Sequence, residues 1–157
     1  MKHLSLYCIA LLTVSAVRLP AQDANARMDA GKQVYMTVCF ACHQPTGMGL
    51  PNMFPPLAAS DWVNVPKPDR MIRMVLHGFM GPITLNGKPF NTPAPLMPPQ
   101  GAALNDQQIA DVLTFVRASF GNTAGAVTPD EVKAIRTAEA ARTAMWTEAE
   151  LQKIPVH

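Results

Sequence analysis

The sequence predicts an all-α fold: three core helices joined by long Pro- and Gly-rich loops, followed by a C-terminal helical extension. Two observations predict it. Apolar residues recur at helical spacing in three separated segments, and no period-2 alternation of strand length interrupts them. Between the first and last of these segments, residues 44–104 hold twelve of the fifteen prolines, from Pro45 to Pro99, together with Gly47, Gly49, Gly78, Gly81, Gly87 and Gly101. At 157 residues the chain is of single-domain size, and nothing in it demands two cores.

The N-terminus reads as a targeting segment. Lys2 and His3 precede an apolar run from Leu4 to Val17, too short to span a bilayer, and small residues then offer cleavage after Ala16 or Ala21. Cleavage after Ala21 is favoured, with an uncleaved N-terminal anchor as the alternative. Cys8 lies within the apolar run and leaves with it. The expected organisation is a signal peptide over 1–21, one domain over 22–122 and a helical extension over 123–157. Removal of the leader takes away Lys2 and Arg18 and no acids. Lys+Arg falls from 13 to 11 against 11 Asp+Glu, so the mature chain is neutral. No basic run suggests nucleic acid, and no second apolar stretch suggests a membrane span after signal cleavage.

Each element has its own signal. Residues 22–27 read as a short lead. From Asp29 onward, Gly31, Val34, Tyr35 and Val38 fall on one helical face, and that helix runs straight into Cys39. A helical island follows at Ile72, Val75, Leu76 and Phe79. The last core helix is capped by Asn105, with Gln108 three residues on. Its apolar face is Ile109, Val112, Leu113 and Val116, with Phe115 beside it, and Gly121-Asn122 ends it. Thr128-Pro129-Asp130-Glu131 starts a further helix, and Thr147 with Glu150 suggests one last turn. A loop region as long as 44–104 suits a compact domain only if it wraps a group that supplies the missing core.

Cys39-Phe40-Ala41-Cys42-His43 names that group. It is a C-x-x-C-H run, the haem-attachment signature. Two thiols one turn apart add to the vinyl groups on one porphyrin edge, and the adjacent histidine becomes the proximal iron ligand. A zinc site would want a second Cys/His pair, and none exists. A thioredoxin-like pair would open a helix after a strand, whereas this one closes a helix. For the sixth ligand, Met97 precedes Pro98-Pro99, which impose an extended loop between the two later helices. Met80 is the alternative. Met36, Met71 and Met74 read as core or pocket contacts, and His77, at a helix end before Gly78, as a structural or propionate-side histidine. The turn Phe54-Pro55-Pro56-Leu57 can offer a carbonyl to the other ring nitrogen of His43, with Pro55 first and Pro51 second. Trp62, Arg70, Arg73 and Asn91 are candidate donors to haem propionates.

With those residues in place, the chain resembles the class I cytochromes c of the single-haem bacterial group, over about residues 28–122. Gly31-x-x-x-Tyr35-x-x-x-Cys39 looks like their N-terminal helix, Phe115 like the aromatic on its partner helix, and Met97-Pro98-Pro99 like their distal-ligand loop. Pro55 to Trp62, Val75–Gly78 and Gly81–Thr84 are similar to a subgroup found beside periplasmic quinoprotein sugar or alcohol dehydrogenases and terminal oxidases. Ala59 stands where that subgroup has Gly, and the spacing from Asn91 to Met97 is longer than usual. The resemblance implies one covalent haem c with His43/Met97 ligation. It further implies a periplasmic carrier of single electrons rather than an enzyme, fed by a dehydrogenase and emptied by an oxidase or another cytochrome. Two alternatives stand beside it: a haem enzyme or gas or peroxide sensor with an open distal site, and a dedicated subunit docked through the C-terminal extension.

Overall fold

A computed structural model describes residues 20–90 and 96–157. The expected leader, with Cys8, falls outside the described residues save for its last two positions, and so does Asn91. The chain runs α1 (Pro20–Val34), a π-helical turn (Tyr35–Cys39), α2 (Phe40–His43), α3 (Asp69–His77), β1 (Phe79–Met80) and β2 (Ile83–Leu85). It continues through β3 (Lys88–Phe90), β4 (Leu96–Met97), α4 (Asp106–Arg117), α5 (Pro129–Ala138) and α6 (Glu148–Leu151).

The all-α expectation needs correction. Four short strands form two antiparallel pairs, β1 with β4 and β2 with β3. Each strand is two or three residues long, too short for an alternating pattern to emerge. One pair did carry a sequence signal: Asn86-Gly87, at φ 49° and 74°, joins β2 to β3 as the left-handed dipeptide that tight hairpins favour. The mid-chain helix also stops earlier than its spacing suggested. Gly78, at φ 80°, caps α3, so Phe79 is a strand residue.

The expected lead at 22–27 is helical and belongs to α1. Its composition is polar, so it carries no apolar period; what holds it is tertiary. Arg27 Nε donates to Asp111 Oδ1 at 2.8 Å and Arg27 Nη2 donates to the Val127 carbonyl at 2.6 Å. Further along, α1 crosses α4 at Gly31. A Cβ there would collide with the Asp111 carbonyl oxygen and lie 2.8 Å from Phe115 Cβ, so only glycine admits this approach. Tyr35 fills the next turn, fully buried, with its ring 5.5 Å from Phe115 and 5.2 Å from Phe120. Its hydroxyl donates to the Gln44 carbonyl at 2.6 Å. Met36, one residue on, falls off that face and is exposed, so it is neither a core nor a pocket residue.

Both halves of a capping box are present at Asn105/Gln108 for α4 and at Thr128/Glu131 for α5. The segment 123–157 is bound into the domain. Val127, Val132 and Ile135 enter the main core with Tyr35, Ile109 and Leu113. Trp146 and Leu151 join a second cluster with Trp62, Phe79, Ile83 and Leu85. Burying such side chains contributes roughly 1.5–3 kcal/mol apiece. Val127, Val132, Ile135, Trp146 and Leu151 of the extension therefore pack into this chain's own core.

Arg117 carries a cation into the core, where it is 1% exposed. Its guanidinium donates to the carbonyls of Gly125, Val63, Val65 and Pro66 at 2.7–3.1 Å. Burial pushes its pKa down, with Glu131 opposing. Four carbonyl acceptors satisfy the buried charge, and the same bonds pin the irregular 63–66 segment to α4.

Candidate functional site

A cleft lies between α2, α3, α4 and the small strands. Cys39, Cys42, His43, Pro55, Trp62 and Met97 all line it. Most of the remaining wall is apolar, with Phe79, Ile83, Leu85, Val112 and Leu113 prominent and Ser60 and Gln100 its polar members.

The two cysteines reach the cleft from the end of the first helix. The π-helical turn adds a residue to the ladder just before them, and such turns occur often at functional sites. Cys39 and Cys42, three apart, then share one helical face, half-buried and without a disulfide. Burial, and then the neighbouring Cys42, pushes the Cys39 thiol up to about 11. Gln44, at φ 61°, turns the chain away directly after His43.

His43 Nδ1 lies 3.0 Å from the Pro55 carbonyl oxygen. A carbonyl can only accept, so Nδ1 carries the proton and Nε2 keeps its lone pair, the tautomer an iron ligand needs. Burial lowers the imidazole's pKa, with the Pro55 hydrogen bond opposing, and so favours the neutral ring. Pro51 is exposed and does not line the cleft. The loop carrying Pro55 folds back through Gly47, whose carbonyl accepts from the amides of Leu57 and Ala58.

Met97 arrives from β4. Its strand pairs with β1 in the register Phe79↔Met97 and Met80↔Leu96. Gly78 lies directly beneath the Met97 carbonyl, where a Cβ would sit 2.6 Å from that oxygen. The chain after Met97 is tied to the end of α3 by Gln100 N–H to Val75 O at 2.8 Å and Gly101 N–H to Leu76 O at 3.1 Å. Met80, the alternative ligand, is 47% exposed and absent from the cleft wall. Met71 and Met74 line the cleft, and so does Met53, which sequence reasoning passed over because no helical pattern surrounds it. His77 ends α3 away from the lining, its buried Nε2 without a hydrogen-bond partner among the described residues.

The candidate propionate donors have protein partners. Trp62 Nε1 donates to Thr84 O at 2.7 Å while its ring walls the cleft. Arg70 donates to the carbonyls of Ile154 and Gln152. Arg73 Nε donates to Glu139 Oε1 at 2.9 Å. The residues 139–154 of the extension supply most of these acceptors, and no local pattern in the sequence announced that they would fold back here.

The donor set fits a haem c. Two thiols at one-turn spacing, a neutral imidazole fixed through Nδ1 and a thioether share one largely apolar cleft. No group of three or more His, Cys, Asp and Glu able to hold a metal occurs among the described residues. No helix among them is long and apolar enough to cross a membrane.

Residues 28–120 match the family model described as cytochrome c. The chain is 38% identical over 115 residues to the cytochrome c subunit of a quinone alcohol dehydrogenase from Gluconacetobacter polyoxogenes, covering 73% of this chain and 24% of that subunit. It is 40% identical over 111 residues to the gluconate 2-dehydrogenase cytochrome c subunit of Pantoea cypripedii, covering 69% and 24%. Against a cytochrome c-552 of Thermus thermophilus it is 31% identical over 132 residues, covering 79% of this chain and 85% of that protein. The chain thus spans about a quarter of the dehydrogenase subunits it matches and most of cytochrome c-552.

Proposed function

The chain belongs to the cytochrome c family, and on that premise we propose that it is an exported, class I carrier of single electrons with one haem c. Cys39 and Cys42 would hold the haem through thioethers, and His43 and Met97 would ligate its iron. When bound, haem c supplies an iron that alternates between ferrous and ferric states. The protein's part is to fix the ligands, keep water from the cleft and leave one edge accessible.

One observation carries the reading: a single apolar cleft gathers both thiols, the tautomerically fixed His43 and the anchored Met97. With His43 and Met97 both ligating, no iron position would be left open to a substrate, which favours a carrier over an enzyme or gas sensor. The rim of the cleft suits electron exchange. Met53 and Leu96 line it and are exposed, Phe40, Met48 and Leu50 are exposed on the same Cys-bearing stretch of chain, and no Asp, Glu, Lys or Arg occurs from Gln33 to Ser60. A partner meeting this rim would do so through apolar contact.

The leader over 1–21 places the protein in the periplasm, with the haem domain at 22–122 and the extension at 123–157. Similarity to cytochrome c subunits of quinone alcohol and gluconate dehydrogenases supports a dehydrogenase as donor, and an oxidase or another cytochrome is the acceptor. The test is direct. The pyridine haemochrome of the purified holoprotein should show one c-type haem per chain, and the ferrous protein should refuse carbon monoxide. Binding of carbon monoxide within seconds at neutral pH would overturn the carrier reading.

A further inference from the structure

We propose that the C-terminal extension acts as a strap on the distal-ligand strand, with Trp146 as a positioning residue that holds Met97 in place through β1. The inference deepens the His43/Met97 reading and rests on it for its effect at the iron.

The geometry is a short chain of backbone bonds. Strand β1 has two edges. On one edge it pairs with β4, so that Phe79 faces Met97. On the other it forms a parallel bridge, Phe79 with Trp146. Met80 N–H donates to the Trp146 carbonyl at 2.8 Å, and Trp146 N–H donates to the Gly78 carbonyl at 3.0 Å. A two-residue pair alone is marginal in water, and a third strand is what stabilises such a sheet. Trp146 supplies a one-residue bridge on the free edge of β1, from about fifty residues downstream of the ligand loop.

The indole keeps the strap seated. Trp146 is buried in the same cluster as Phe79, with Met97 packed against it. The Arg142 guanidinium carbon lies 3.5 Å from its ring centroid and that of Arg73 lies 5.9 Å away. Arg142 is itself fixed on Glu150, and Arg73 on Glu139. The indole Nε1 has no hydrogen-bond partner among the described residues, so the ring acts here by packing and cation contact, not as a donor. A second tie runs beside it, from Thr84 N–H to Glu148 Oε2 at 3.0 Å. That tie reaches β2, whereas the Trp146 backbone bonds reach β1, the strand paired with Met97.

An external ligand must displace Met97, so its affinity reports how readily the loop leaves. The experiment titrates full-length ferric holoprotein with imidazole and follows the near-infrared methionine-to-iron charge-transfer band. Trp146→Ala should bind imidazole about tenfold tighter, the scale expected from loosening two backbone hydrogen bonds. Trp146→Phe, which keeps the ring packing, should stay near wild type. Leu151→Ala, which opens the same cluster without a bond to β1, should lower overall stability and leave imidazole affinity unchanged. Equal affinities for Trp146→Ala and Leu151→Ala would overturn the strap. If the wild-type band is missing, the Met97 reading falls, and amide exchange decides the strap separately. Faster exchange at Met80 and Met97 in Trp146→Ala than in Leu151→Ala supports it, and equal exchange refutes it.

Discussion

Replacing Gly31 by alanine tests the crossing that places the cysteines. A Cβ at this position would overlap the Asp111 carbonyl oxygen and lie 2.7 Å from its carbon and 2.8 Å from Phe115 Cβ. All three atoms belong to the α4 backbone or sit directly on it, so no side-chain rotation relieves the clash. Reaching ordinary contact at 3.4 Å from the Asp111 carbonyl oxygen requires α1 and α4 to part by more than an ångström. That shift would stretch the Arg27–Asp111 pair and open the Tyr35–Phe115–Phe120 cluster. Overpacking of this kind costs roughly 1–3 kcal/mol and reaches the upper end where backbone must move. Alanine returns about 1 kcal/mol in helix propensity. Gly31→Ala should therefore lose about 2 kcal/mol in urea unfolding of the holoprotein. Gly125→Ala, with nothing within 4 Å of its Cβ, is the matched control and should be neutral or slightly stabilising. A Gly31→Ala protein as stable as wild type would refute the crossing geometry.

Three further outcomes follow from single residues. Ala59 sits at φ 48°, where an L side chain is strained, so Ala59→Gly should raise stability by about 0.5–1 kcal/mol in thermal unfolding. Arg117→Met removes the donor shared by four carbonyls and should cost about 3 kcal/mol by chemical denaturation. Burial, and then Cys39, pushes the Tyr35 phenol up to about 12. The unfolded chain loses that proton near pH 10 while the folded chain keeps it, so stability should fall as pH rises from about 10 to 12. Tyr35→Phe should lack that decline in a pH series of unfolding midpoints.

The parts of the fold that were legible are those with local chemistry. Asn105/Gln108 and Thr128/Glu131 mark helix starts because each cap is complete within four residues. The C-x-x-C-H run is legible because its chemistry fixes its spacing. Asn86-Gly87 was equally local, but the strands it joins are three residues each, too short for alternation to show. What stayed hidden depends on distant partners. Nothing near Arg27 announces Asp111, and nothing near Trp146 announces β1. The donors of Trp62, Arg70 and Arg73 looked free for a cofactor because Thr84, Ile154 and Glu139, which accept from them, lie 22 to 84 residues away. The departure at Ala59 gained a meaning only once its backbone was seen to be left-handed.

The central claim is that Met97 closes the iron opposite His43. Near-infrared absorption of the ferric holoprotein at neutral pH, measured for wild type, Met97→Ala and Met80→Ala, tests it most directly. The methionine charge-transfer band should be present in wild type and in Met80→Ala and absent in Met97→Ala. A band that survives Met97→Ala, or that disappears with Met80→Ala, would contradict the account.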